Sequence, residues 1–151
     1  MLMESREYYM RKALELASCA SQHGEVPVGC VIVDAEGNVI GTGRNRMEEK
    51  HNASCHAEIE AISEASAALG DWRLDNCTLY VNLEPCPMCA GAIINSRIGT
   101  AVFALRDRNK GACGGVIDLF SENFGHKPAV FTAVCEDESA ALLKDFFKEK
   151  R

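Results

Sequence analysis

The sequence has no apolar run long enough to cross a bilayer, which excludes a helical membrane span. The N-terminal stretch "MLMESREYYMRK" lacks a signal-peptide layout, so a cytoplasmic setting is expected. There is no internal repeat, low-complexity segment or proline-rich linker, and 151 residues suit one domain over 1–151 better than two. Excess positive charge is absent too. A formal net charge of −6 argues against a polyanionic partner, because phosphate contacts need lysine and arginine. Basic residues do gather in three places: "GRNRMEEK" (Arg44, Arg46, Lys50), "LRDRNK" (Arg106, Arg108, Lys110) and "KDFFKEKR" (Lys144, Lys148, Lys150, Arg151). Taken singly each reads as a solvated face, and together they matter only if folding joins them.

Cysteine is what the chain has in plenty, eight in all. With nothing to export the chain, a disulfide framework is not expected, and clustered thiols in a reducing compartment point to metal or catalysis. Cys19, Cys30, Cys77 and Cys135 lie inside apolar patterns and read as small buried hydrophobes. Cys55 and Cys113 receive no role. Cys86 and Cys89 stand three apart in "LYVNLEPCPMCAGAI", where a buried pair, a disulfide, a redox dithiol and half of a metal site all fit in isolation.

Hydrophobic spacing predicts a helix up to about His23, stopped by Gly24, and then a hairpin of "VPVGCVIVD" and "NVIGTGR". A polar loop runs over 45–52, and an alanine- and glutamate-rich helix over 54–69 ends at Gly70. "CTLYVNL" reads as a strand with Leu79, Val81 and Leu83 on one face, and Pro85 opens a short helix to about Ser96. "TAVFAL" and "AVFTAV" are two further strands, separated by a long loop with one helical turn near 116–120, and a helix over 137–148 closes the chain. Helices alternating with strands after an opening hairpin imply an α/β fold, one mixed sheet covered on both faces.

Two segments at predicted helix starts, "CHAEIEAI" and "EPCPMC", carry the chemistry. His56, Cys86 and Cys89 supply one imidazole and two thiols, the three protein ligands of a catalytic zinc with an open fourth position. Residues three apart share a helix face, so both thiols can close on one ion, and a helix start favours thiolate. Glu58, two residues past His56 in the first turn, is placed to face the open position as a base rather than a ligand. A thioredoxin-like reading of Cys-x-x-Cys is the chief alternative, but a redox site has no use for His-x-Glu thirty residues earlier. Zinc there would supply a nucleophile from water near neutral pH, with Glu58 moving the protons.

His-x-Glu followed by Pro-Cys-x-x-Cys matches the signature of zinc nucleobase deaminases. "VPVGCVIV", "GRNR", "HAEIEAI", "LYVNLEPCPMCAGAIINSRI", "VFALRDRNKGACGG" and "ESAALLKDFFK" resemble, in order and across nearly the whole chain, the tRNA-specific adenosine deaminase family. The resemblance implies the cytidine-deaminase-like three-layer fold, a five-stranded mixed sheet flanked by helices. It also implies one zinc per subunit, a homodimer, and conversion of the wobble adenosine in a tRNA anticodon loop to inosine. Residue by residue, it assigns zinc to His56, Cys86 and Cys89 and proton transfer to Glu58. Asn45 and the backbone amide of Ala57 would hold the target base, with Glu84 bordering the pocket. Asp107 would contact the sugar, and Phe146 and Phe147 would lie near an RNA-binding tail, although core packing is the plainer reading of at least one. The chain departs from the family at "NASCHAE" (for "DPTAHAE"), at Asn109 and at Gly125-His126. Guanine and other free-base or nucleoside deaminases share the zinc motif and remain an alternative, as does a non-catalytic zinc-containing RNA-binding subunit, against which the intact Glu58 speaks.

Overall fold

A computed structural model describes residues 4–150; Arg151 of the basic tail lies outside them. The elements run α1 (Arg6–Gln22), β1 (Gly29–Val33), β2 (Val39–Arg44), α2 (Ala57–Leu69), β3 (Thr78–Leu83), α3 (Pro87–Asn95), β4 (Thr100–Leu105), β5 (Ala129–Phe131) and α4 (Glu136–Glu149), with a 3-10 turn at Leu119–Ser121. The sheet order is β2-β1-β3-β4-β5. β1 runs antiparallel to β2 and β3, whereas β3, β4 and β5 are parallel, giving the mixed sheet expected.

All five residues of β1 are buried, the pattern of a strand covered on both faces. Cys30 and Ile32 pack with Ala57, Ala61 and Ala65 of α2, Ile93 of α3 and Leu79 and Val81 of β3. Val31 and Val33 point the other way, to Tyr9, Met10 and Ala13 of α1 and to Tyr80 and Val102. The layers are therefore α1 with α4, the sheet, and α2 with α3.

α2 lies directly on the backbone of β2. A Cβ at Gly41 or Gly43 would run into the Ala61 and Ala57 carbonyls, and the alanines of α2 complete the close approach. Gly43→Ala is expected to lower stability by about 1–3 kcal/mol, as overpacking of a tight core does, with a matching fall in thermal midpoint.

Four local expectations change. α2 begins at Ala57, not Ser54, because Asn52 Oδ1 takes the Ser54 amide (2.9 Å) and hydroxyl (2.7 Å) into a side-chain turn that competes with helix. α3 begins at Pro87 rather than Pro85. Pro87 holds the residue before it extended, leaving Cys86 outside the helix at φ −75°, ψ 174°. β5 ends at Phe131, since the chain then bends through positive φ at Ala133 and Cys135. Cys30 and Cys77 are buried as expected, but Cys19 and Cys135 are partly exposed.

Candidate active site

His56 and Cys86 occupy equivalent places, each the residue just before a helix, α2 and α3 respectively. A residue there ordinarily turns its side chain onto the helix's free amides. Neither does so here. The two side chains point at each other across the gap between the helix starts. Cys89, at the third position of α3, adds its thiol from the same side.

His56 Nδ1 lies 3.6 Å from Cys86 Sγ and 3.5 Å from Cys89 Sγ, and one ligand atom from each of the three residues lies within 4.8 Å of the others. Tetrahedral zinc with Zn–S near 2.3 Å and Zn–N near 2.0 Å sets sulfur and nitrogen about 3.6 Å apart. The donor set fits the ion in type and in spacing. Without metal, the three groups share protons. Hydrogen bonding from Cys89, and then from His56, pulls the Cys86 thiol down to about 4 against the opposing effect of burial. Cys89, donating to Cys86 and itself buried, is pushed far up, and the Cys86 hydrogen bond raises His56. The hydrogen bonds thus favour thiolate at Cys86, at a helix N-terminus where negative charge is also favoured.

Glu58, the second residue of α2, is 3% exposed. Burial pushes its carboxyl up to about 7, while a bond from its own backbone amide, and then the His56 charge, pull the other way. The carboxyl therefore sits beside the donor cluster with proton affinity matched to neutral pH. The shift carries a cost for the metal-free fold. The folded group binds its proton more tightly than the unfolded one, so its contribution to stability falls as pH rises from about 4.5 through about 7. In metal-stripped protein, Glu58→Gln is expected to raise the melting temperature at pH 8, with the gain shrinking toward pH 4.5.

Asn45 is buried at the end of β2. Its Nδ2 donates to the Val26 carbonyl (3.1 Å) and its Oδ1 accepts the Ala57 amide (3.0 Å). Asn45 thus covers the helix-start amide that His56 leaves free. The Ala57 amide, expected to hold a bound base, is buried and has Asn45 as its partner in this structure. Glu25, which sequence reasoning passed over, ties the same region by accepting the Glu48 and Glu49 amides (3.1 and 2.8 Å). A lone carboxylate ahead of an apolar strand gave no signal of that.

Glu84, expected to border the pocket, sends its carboxylate into a neighbouring loop. Its side chain is fully buried and accepts the amides of Asp107 (3.0 Å), Cys113 (2.9 Å) and Gly115 (2.8 Å), so it faces the 106–115 loop rather than a substrate. Asp107 Oδ1 accepts the Asn109 and Lys110 amides and turns the start of that loop. Lys110 is near enough for its charge to oppose protonation of His56.

Phe146 and Phe147, adjacent in α4, diverge: Phe146 is buried and Phe147 exposed. Phe146 and Lys150 wall a cavity of about 520 Å³ with Val26, Asn45, Met47 and Glu48. Phe146 therefore joins the Asn45 region, and Phe147 does not line that cavity. The first basic cluster is neutralised internally. Glu49 pairs with Arg44 (2.9 Å) and Arg46 (3.1 Å), and Glu60 pairs with Lys50 (3.2 Å) and sits 3.2 Å from Arg46 Nε, out of line for a hydrogen bond. Among the described residues, Arg108, Lys110, Lys144, Lys148 and Lys150 form no ion pair and remain available to phosphate.

A three-layer sheet that holds an imidazole, two thiols and a buried carboxyl at opposed helix starts defines the class, the zinc nucleobase deaminases. Residues 3–105 match the family model of the cytidine and deoxycytidylate deaminase zinc-binding region. The tRNA-specific adenosine deaminase of Bacillus subtilis (strain 168) is 43% identical over 150 residues, covering 99% of this chain and 92% of the relative. The tRNA(Ile)-lysidine synthase of Deinococcus radiodurans is 46% identical over 142 residues, 94% of this chain, but the chain spans only 24% of that protein. A solved structure from studies of A-to-I editing by tRNA:A34 deaminases at the wobble position of transfer RNA superposes with a TM-score of 0.87. It is 40% identical and is covered over 90% of this chain and 99% of its own. Guanine deaminase from Nitrosomonas europaea superposes with a TM-score of 0.77 at 25% identity, over 97% of this chain and 86% of its own. The chain belongs to the tRNA-specific adenosine deaminase family, within the cytidine and deoxycytidylate deaminases.

Proposed function

We propose that the chain is a zinc-dependent hydrolytic deaminase that converts the wobble adenosine of a tRNA anticodon loop to inosine, releasing ammonia. The observation that carries this is the His56–Cys86–Cys89 spacing, matched to zinc, with the Glu58 carboxyl buried beside it. The relatives supply the substrate, since the full-length ones are named for tRNA adenosine.

His56, Cys86 and Cys89 would hold the zinc, which when bound supplies positive charge and a nucleophile from water near neutral pH. Glu58 would accept one proton from water and deliver it to the ring nitrogen, then pass the second water proton to the exocyclic amine, which would depart as ammonia. Water oxygen replaces amine nitrogen on the ring carbon, and no oxidant or reductant enters. Asn45 holds the start of α2, and with it His56 and Glu58, against the Val26 segment. Asp107 and Lys110 lie on the loop that the Ala112 amide hooks to Pro85, next to Cys86, and Phe146 and Lys150 offer a ring face and a cation beside Asn45 for a flanking nucleotide. A wobble base is already splayed from its loop, so taking it into a pocket costs little.

A homodimer fits the surface. Met88 of α3, next to Cys89, and Val116, Ile117 and Phe124 are exposed large apolar residues, and the Ala112 amide on the Pro85 carbonyl holds the 111–117 segment beside the start of α3. No described helix is long and apolar enough to cross a membrane, and a cytoplasmic setting suits a tRNA substrate.

The test incubates zinc-loaded protein with an anticodon stem-loop carrying a wobble adenosine and, separately, with guanine, cytosine, cytidine and adenosine. Inosine in the RNA with no ammonia from the small molecules is expected. The likeness to guanine deaminase makes ammonia from guanine with untouched RNA the competing outcome, and that result would overturn the substrate.

A further inference from the structure

The segment "RDRNKGACGG" is organised around a single carboxylate. Glu84, two residues before Cys86, sends its side chain away from the metal donors. One oxygen takes the Asp107 amide, and the other takes the Cys113 and Gly115 amides. Arg106 closes the ring with Nη1 at 3.5 Å from the same carboxylate and 3.5 Å from the Cys113 carbonyl. The glycines follow from this. A Cβ at Gly111 would strike the Glu84 carboxylate, one at Gly115 would strike the Asp107 carbonyl and Glu84, and Gly114 sits at φ +125° against the Arg106 guanidinium.

The same loop is hooked to the metal helix a second time, by the Ala112 amide on the Pro85 carbonyl (2.8 Å). Glu84 and Pro85, consecutive and leading into Cys86, therefore fix the loop's two ends relative to the donor cluster. Between these anchors the loop carries Asp107, whose Oδ1 folds its first turn, and Lys110, two residues from the Ala112 amide that hooks the loop to Pro85 beside Cys86. A loop of this length with three glycines has no fixed shape of its own. Its shape comes from Glu84.

We propose that Glu84 is a positioning residue: its carboxylate shapes the 106–115 loop so that Asp107 and Lys110 are presented to the RNA beside the zinc site, without itself touching substrate. This rests on the tRNA reading for the identity of what is gripped, but not for the architecture of the loop. Glu84→Gln keeps the size and leaves one acceptor oxygen for three amides, so at least one amide loses its partner. Gly115→Ala leaves the carboxylate intact and wedges a methyl group against it.

The experiment compares wild type, Glu84→Gln and Gly115→Ala by metal content, amide hydrogen exchange and steady-state kinetics on the anticodon stem-loop. Both variants are expected to keep the wild-type zinc content. Exchange at the Asp107, Cys113 and Gly115 amides should quicken by about 10-fold or more, and KM should rise by about 10-fold or more while kcat stays within about 3-fold, the pattern of lost binding without lost chemistry. Wild-type KM in both variants despite faster exchange overturns the proposal, because the loop would then be scaffold alone. Unchanged exchange overturns it as well, as does a loss of activity that tracks a loss of zinc. Failure of wild type on the stem-loop brings down the tRNA reading instead; the same comparison, run on whichever free base or nucleoside wild type does convert, then decides the role of Glu84.

Discussion

Glu58→Ala is expected to retain a full complement of zinc and to lose deamination by about 10²–10⁴-fold, the range that a positioned acid–base group contributes. Retention follows from geometry, since the three donors lie in mutual reach without the carboxylate. The loss follows from burial: Glu58 is 3% exposed, with its carboxyl held beside the donor cluster. The fold should tolerate the change, because the group removed is one that burial holds against its ionised form. Metal analysis together with single-turnover measurement separates the two effects. Deamination surviving in Glu58→Ala would sink the proton-transfer role, and loss of zinc would make Glu58 a ligand.

Cys86→Ala should fail in a different way, losing the metal and with it all turnover above background. Two donors remain, and the pair cannot supply the third corner of a tetrahedral site. The folded state should also lose its response to metal. Anything that binds only the native chain stabilises it by mass action, so a chelator is expected to lower the wild-type melting temperature and to leave Cys86→Ala unmoved. A wild-type melt indifferent to chelator would mean that the ion is not part of the fold's support. Stoichiometric zinc in Cys86→Ala would place the ligand elsewhere.

The donor set was legible in the sequence because metal chemistry restricts residue type and spacing so tightly that His-x-Glu and Cys-x-x-Cys have few other uses. The fold was legible because β1 and β3 are short, largely apolar runs, as strands covered on both faces are, and alanines line the face of α2 that meets glycines in β2. The start of α2 was misjudged from composition, since alanine and glutamate speak for helix but say nothing of the Asn52 turn that holds the chain off until Ala57. Asn45 alone reads as a turn residue; its two bonds join residues 19 and 12 positions away. The hold of Glu84 on the 106–115 loop was not legible, because its partners lie 23 to 31 residues ahead and only the folded loop brings them back. The "GRNRMEEK" cluster reads singly as a solvated face, and in the fold Glu49 and Glu60 pair with its cations. Which charges cancel is a tertiary property, and net charge does not reveal it.

His56 precedes Cys86 by thirty positions. On a growing chain the imidazole is therefore made well before either thiol, with β3 still to come between them. The grip closes only after α3 has been added, when two helices that began at separate times are brought nose to nose. Zinc acquisition thus belongs to the second half of synthesis, and a ribosome-bound fragment ending at β3 should bind the ion no better than a peptide with one histidine.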